Sequence, residues 1–152
     1  LPDLLLGHTG GVLGGTSATL VILGGLYITW KKAANYRIVI SGIAGYLLAQ
    51  TVFWAFHMRA HVPDPISSLL AGSALIGIFF YATDPVSASQ TNPGRWIYGA
   101  FVGVLSSAIA VFSAWPAGTM FAILLGNTFA PIMDYVIRER QSKTKAASMA
   151  KT

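Results

Sequence analysis

Two carboxylates, Asp84 and Asp134, stand at or inside long uncharged stretches, where an ionised side chain is costly and usually has a task. Asp84 closes the apolar run Gly77-Ile-Phe-Phe-Tyr-Ala-Thr83 and precedes Pro85, which lacks an N–H and biases residue 84 away from helical geometry. The stretch from Asp84 to Arg95, with Ser87, Ser89, Gln90, Thr91, Asn92 and Pro93, is too polar to face lipid. It reads either as a cytoplasmic loop or as a broken-helix segment lining a cavity, the only setting in which irregular backbone is tolerated at membrane depth. Asp134 lies three residues after Pro131 and seven after Asn127. On a helix Asn127 and Asp134 share a face, and Pro131 deprives the Asn127 carbonyl of its usual donor, so amide, carbonyl and carboxylate form one polar stripe. Oxygen groups of this kind hold or hand on a hard cation such as Na⁺. The plain alternative is an interfacial ion pair between Asp134 and Arg138 at i,i+4.

Other chemistry has little support. His57 and His61 have helical spacing for a metal, but Pro63 and Pro65 end any helix there and no third ligand is near, so a wetted external loop is the expected setting. The run Gly10-Gly-Val-Leu-Gly-Gly15 is not GxGxxG and follows no strand, which removes a nucleotide-binding fold. The chain has no cysteine, so disulfides, thiolate-bound clusters and cysteine nucleophiles are excluded. No Ser/His/Asp set is evident, and neither a catalytic nor a metal-ligating residue is assigned.

The elements that must position the two acids are membrane helices. Of 152 residues, 54% are hydrophobic and only 10% are charged, against about 25% charged in a soluble domain. At about 20 residues per crossing, six or seven crossings are roughly the most that fit. Five spans are expected: Val12 to Trp30, Ile38 to His57, Ile66 to Ala82, Trp96 to Trp115 and Gly118 to Val136. Tryptophan and tyrosine gather at their ends, as in an interfacial belt. With five spans, nine of the ten basic residues fall on one side and only Arg59 on the other. This places the C-terminus in the cytoplasm and the N-terminus outside. The same distribution, without interleaved aromatics, argues against nucleic acid as a partner. Small residues at i,i+4 spacing (Ser41 with Gly45, Ser73 with Gly77, Gly99 with Gly103) mark where backbones approach.

The expected organisation is a five-helix transmembrane repeat over 1–136 and a basic cytoplasmic tail over 137–152, disordered from Gln141 to Thr152. A chain that opens Leu-Pro-Asp, without Met or signal peptide, reads as the C-terminal part of a longer membrane protein.

Four strings carry a resemblance: Gly10-Gly-Val-Leu-Gly-Gly-Thr-Ser-Ala18, Ala82-Thr-Asp-Pro-Val-Ser-Ala88, Gly94-Arg-Trp-Ile-Tyr-Gly99 and Phe121-Ala-Ile-Leu-Leu-Gly-Asn-Thr-Phe-Ala-Pro-Ile-Met-Asp134. In this order they resemble the C-terminal half of the NqrB/RnfD family, membrane subunits of the Na⁺-translocating NADH:quinone oxidoreductase and of the Rnf ferredoxin:NAD⁺ oxidoreductase. The resemblance implies an all-α membrane protein and the second repeat of a ten-helix, inverted-repeat subunit, whose working site lies at interrupted helices between the halves. It implies a component of a bacterial inner-membrane translocase that couples flavin electron transfer to Na⁺ or H⁺ movement. Phe80 matches an aromatic of the family's hydrophobic constriction, although position 76 is Ile. Asp84 falls at the interruption and Asp134 matches the C-terminal acid, so the implied ion path runs through Phe80, Asp84, Asn127 and Asp134. The implied partners are an N-terminal five-helix repeat, flavin and iron–sulfur subunits, and a quinone. The implied cofactors are riboflavin and an FMN held covalently at a threonine of an SGAT-type motif upstream of this chain. Gly15-Thr-Ser-Ala-Thr19 is not that motif, because it aligns with the family's GETS instead. GETS is Gly14-Gly-Thr-Ser17 here, the family's PEG is Pro116-Ala-Gly118, and its fourth-span arginine is Ala110. These losses keep a redox-inactive channel half, or a structural scaffold, as the alternative.

Overall fold

The computed structural model describes residues 17–56, 64–71, 73–113 and 118–149. The expectations for His57, His61, Arg59, Trp115 and the glycine string up to Thr16 lie outside these residues. The described residues form helices joined by turns and one loop, without a strand: α1 Ala18–Trp30, α2 Tyr36–Ala55, α3 Pro65–Ala71, α4 Ala74–Ile76 running into a π-helical turn Gly77–Tyr81, α5 Asn92–Phe112 and α6 Gly118–Met149. Three of its helical stretches, Tyr36–Ala55, Asn92–Phe112 and Gly118–Thr144, are long and apolar enough to cross a membrane. The all-α membrane class follows from them.

Each long helix begins where its sequence allows. Asn35 caps α2 by accepting the Arg37 N–H at 3.2 Å. Thr91 caps α5 by accepting the Gly94 N–H at 3.2 Å, with proline in the first turn where its missing N–H costs nothing. The small-residue pairs form the main helix crossing. A Cβ on Gly45 would fall 2.7 Å from the Ala100 carbonyl oxygen, and one on Gly99 would fall 2.6 Å from that of Ile38. Gly103 lies against Gly42 and Tyr46 in the same way, so α2 and α5 meet backbone to backbone. Polar pairs cross the same interfaces. Ser107 donates to Gln50 Oε1 at 2.7 Å between buried residues of α5 and α2. Tyr46 and Ser68 share a 2.8 Å hydrogen bond between α2 and α3.

Two of the expected elements differ. The Ile66 to Ala82 span is not one helix but α3, α4 and the π turn, closed by the Ala82 N–H donating to the Gly77 carbonyl at 2.8 Å. Packing accounts for the wide turn. Gly77 receives the Thr119 side chain of α6, Ser73 donates to Thr119 Oγ1 at 3.2 Å, and the Phe79 ring seats on Gly25 of α1. The last span does not stop at Val136, and the tail expected to be disordered is helical to Met149. Its continuation carries a Glu139–Lys143 ion pair at i,i+4, 2.7 Å long.

Candidate ion path at the polar loop

The segment between the π turn and α5 folds on itself. Asp84 Oδ1 accepts the Val86 N–H at 3.3 Å, while Oδ2 accepts the Ser87 N–H at 3.3 Å and the Ser87 hydroxyl at 2.6 Å. These donors, the Ser87 hydroxyl foremost, hold the Asp84 carboxyl below the usual carboxylate range. Gln90 Nε2 donates to the Pro85 carbonyl at 2.6 Å and to that of Ala88 at 3.1 Å, and Arg95 Nε donates to the Ser89 carbonyl at 3.3 Å. Irregular backbone is thereby satisfied locally.

The far end of this loop is fastened by Asp134. Its Oδ1 accepts the Ser89 hydroxyl at 2.5 Å, the Thr91 hydroxyl at 2.7 Å and the Thr91 N–H at 3.2 Å, and its Oδ2 accepts the Gln90 N–H at 2.7 Å. Asp134 is buried, and a Cβ on Gly94 would come within 2.7 Å of it, so only glycine fits beside this knot. The expected alternative, an Asp134–Arg138 pair, does not form: the single ion pair among the described residues is Glu139–Lys143. Four loop donors occupy the oxygens of this buried carboxylate instead.

Three cavities share the loop as a wall. The largest of them, about 660 Å³, is lined by Phe80, Asp84, Ser87 and Asn127. Three of the four residues expected on an ion path therefore meet in one open space, although 47 positions separate Phe80 from Asn127. Asn127 Oδ1 accepts the hydroxyl of the buried Tyr98 at 2.5 Å, which fixes the amide, and Pro131 offers no N–H to its carbonyl. Asp134 instead lines a second cavity of about 340 Å³ with Ser87, Gln90, Pro131 and Arg138. The stripe of Asn127 and Asp134 is thus divided between two spaces that Ser87 borders on both sides. A third cavity of about 380 Å³ lies behind Asp84, against Lys32, Asn35, Gln90 and Arg95. The loop partners Ser89 and Thr91 were not singled out from sequence. A Thr followed by Asn-Pro-Gly carries a helix-start signal, but nothing local announces a carboxylate more than 40 residues on.

Comparison with known proteins identifies the family of the chain. A family model described as NQR2, RnfD, RnfE matches residues 1–143. Over 135 residues the chain is 39% identical to a subunit of the ion-translocating oxidoreductase complex of Klebsiella pneumoniae (strain 342), an alignment covering 86% of this chain and 38% of that protein. Over 152 residues it is 36% identical to a subunit of the Na(+)-translocating NADH-quinone reductase of Haemophilus influenzae (strain PittEE), covering 95% of this chain and 36% of that protein. It therefore spans little more than a third of the length of these curated relatives.

Proposed function

Since this chain belongs to the NQR2, RnfD, RnfE family, we propose that it forms the second five-helix repeat of a membrane subunit in a bacterial ion-translocating oxidoreductase complex, where electron transfer drives Na⁺ or H⁺ across the inner membrane. The observation that carries this reading is the convergence of Phe80, Asp84 and Asn127 on one cavity of about 660 Å³. Its wall offers a carboxylate, an amide oxygen and a hydroxyl, the hard ligands that a partly dehydrated cation accepts. Phe80, 41% exposed and also facing a neighbouring apolar cleft with Leu20 and Ile76, is the apolar gate beside them. Asp134 acts on the path indirectly, by holding the loop that carries Asp84 and Ser87.

In this reading the flavin chemistry is supplied by other parts of the complex, and no step is assigned to a flavin through the residues described here. What this repeat contributes is a route whose charge and width respond to its partner subunits, with the C-terminal end of α6 in the cytoplasm. The test is Asp84→Asn in the assembled complex. Activation by the transported ion should weaken while electron uptake on the cytoplasmic side continues, and an unchanged ion dependence would remove Asp84 from the path.

A further inference from the structure

The cavity of about 380 Å³ behind Asp84 is not needed for the ion path, and its charged groups are two cations, Lys32 and Arg95, against one carboxylate, which leaves an excess of one positive charge. Arg95 uses only Nε, on the Ser89 carbonyl, which leaves both terminal nitrogens of its guanidinium without a partner among the described residues. The Lys32 ammonium has none there either, and Asn35 uses only its oxygen, leaving the amide N–H groups. The carboxylate in the wall, Asp84, is turned to Val86 and Ser87 of its own loop. Lys32 is moreover held at φ 58°, a left-handed conformation that costs a non-glycine residue about 1–2 kcal/mol, at the tight end of α1.

Exposed aromatic residues mark the level of this cavity. Trp30, Tyr36 and Trp96 are 81%, 52% and 44% exposed at the same end of the helices, as aromatic side chains at headgroup level are. Directly along α1 from them, Leu23 and Leu26 present an apolar surface that acyl chains can cover. A cationic pocket between membrane helices at this level suits a phosphate, and the apolar strip beside it suits a lipid tail. We propose that Lys32, Asn35 and Arg95 form a binding site for a phosphate anion, supplied by the headgroup of an anionic phospholipid.

The test is native mass spectrometry of the protein as purified from its membrane, exchanged into nanodiscs of equal parts dioleoylphosphatidylglycerol and dioleoylphosphatidylcholine. Phosphatidylglycerol should be retained preferentially. The preference should fall about five-fold in each of Lys32→Gln and Arg95→Gln, the effect of removing one interfacial cation. Arg138→Gln, outside this cavity, should leave it unchanged. Lys32→Gln breaks no side-chain hydrogen bond among the described residues, so it carries the test if Arg95→Gln fails to fold. Equal retention by the parent and the Lys32 variant, or an equal loss in Arg138→Gln, overturns the site. Displacement of the lipid by inorganic phosphate at matched concentration would keep the phosphate chemistry but overturn the headgroup as its source.

Discussion

Asp134 accepts four hydrogen bonds from three consecutive residues, and its replacement by alanine leaves the Ser89 hydroxyl and the Gln90 and Thr91 amides without their acceptor. Local opening of the loop should become easier by about 1–3 kcal/mol. Hydrogen exchange at the Gln90 and Thr91 amides reads this directly, and unchanged protection would show that the carboxylate does not fasten the loop. Asp84 behaves differently because it is less buried and its donors are its neighbours. Its folded-state pKa lies below the ordinary 3.8, so its contribution is complete above 3.8 and is lost as pH falls through the folded value. The amide chemical shifts of Val86 and Ser87 should stay flat from neutral pH to about 5 and move only in the acid range below the reference carboxylate value. Both acids were legible as exceptional from their apolar flanks. Their different duties were not, because the partners of Asp134 lie on another element, and residue type does not distinguish a carboxylate that meets an ion from one that ties down backbone.

Among the elements, the α2–α5 crossing was the most legible, since Ser41, Gly45, Gly99 and Gly103 stand at a spacing that only close backbone contact rewards. Gly103→Leu should separate these helices, with overpacking costing about 1–3 kcal/mol, whereas Leu48→Ala on the exposed face of α2 should cost far less. Urea unfolding in detergent micelles, followed by circular dichroism, compares the two, and equal losses would mean that this crossing does not hold the pair together. The broken third span was not legible. Its π turn answers to Thr119 on α6 and Gly25 on α1, and hydropathy along 66–82 is indifferent to both. The extension of α6 to Met149 escaped for the opposite reason: a small, polar, basic sequence suggests disorder, yet it follows without interruption from a long helix already nucleated.

For the whole molecule, orientation rests on nine of ten basic residues sharing one side. Lys143→Cys adds a thiol on an exposed stretch of α6 to a segment that has none of its own, and its labelling is read as the difference from the parent protein. A membrane-impermeant maleimide should label it in inverted vesicles and not in intact cells, and the reverse pattern would invert the proposed topology. The all-α membrane class was legible in the sequence from hydropathy, because hydropathy is a sum over many residues. The cavities were not, because each is bounded by elements far apart in the chain. That separation also has a direction in time. Ser89, Gln90 and Thr91 leave the ribosome 45, 44 and 43 residues ahead of Asp134. During synthesis the loop donors wait for an acceptor that arrives only with α6. A chain halted before residue 134 would carry an open loop, so the knot at Asp134 also records that synthesis has passed this residue and its helix has docked, and chains arrested earlier should be cut by membrane proteases at 84–91 where those carrying Asp134 are spared.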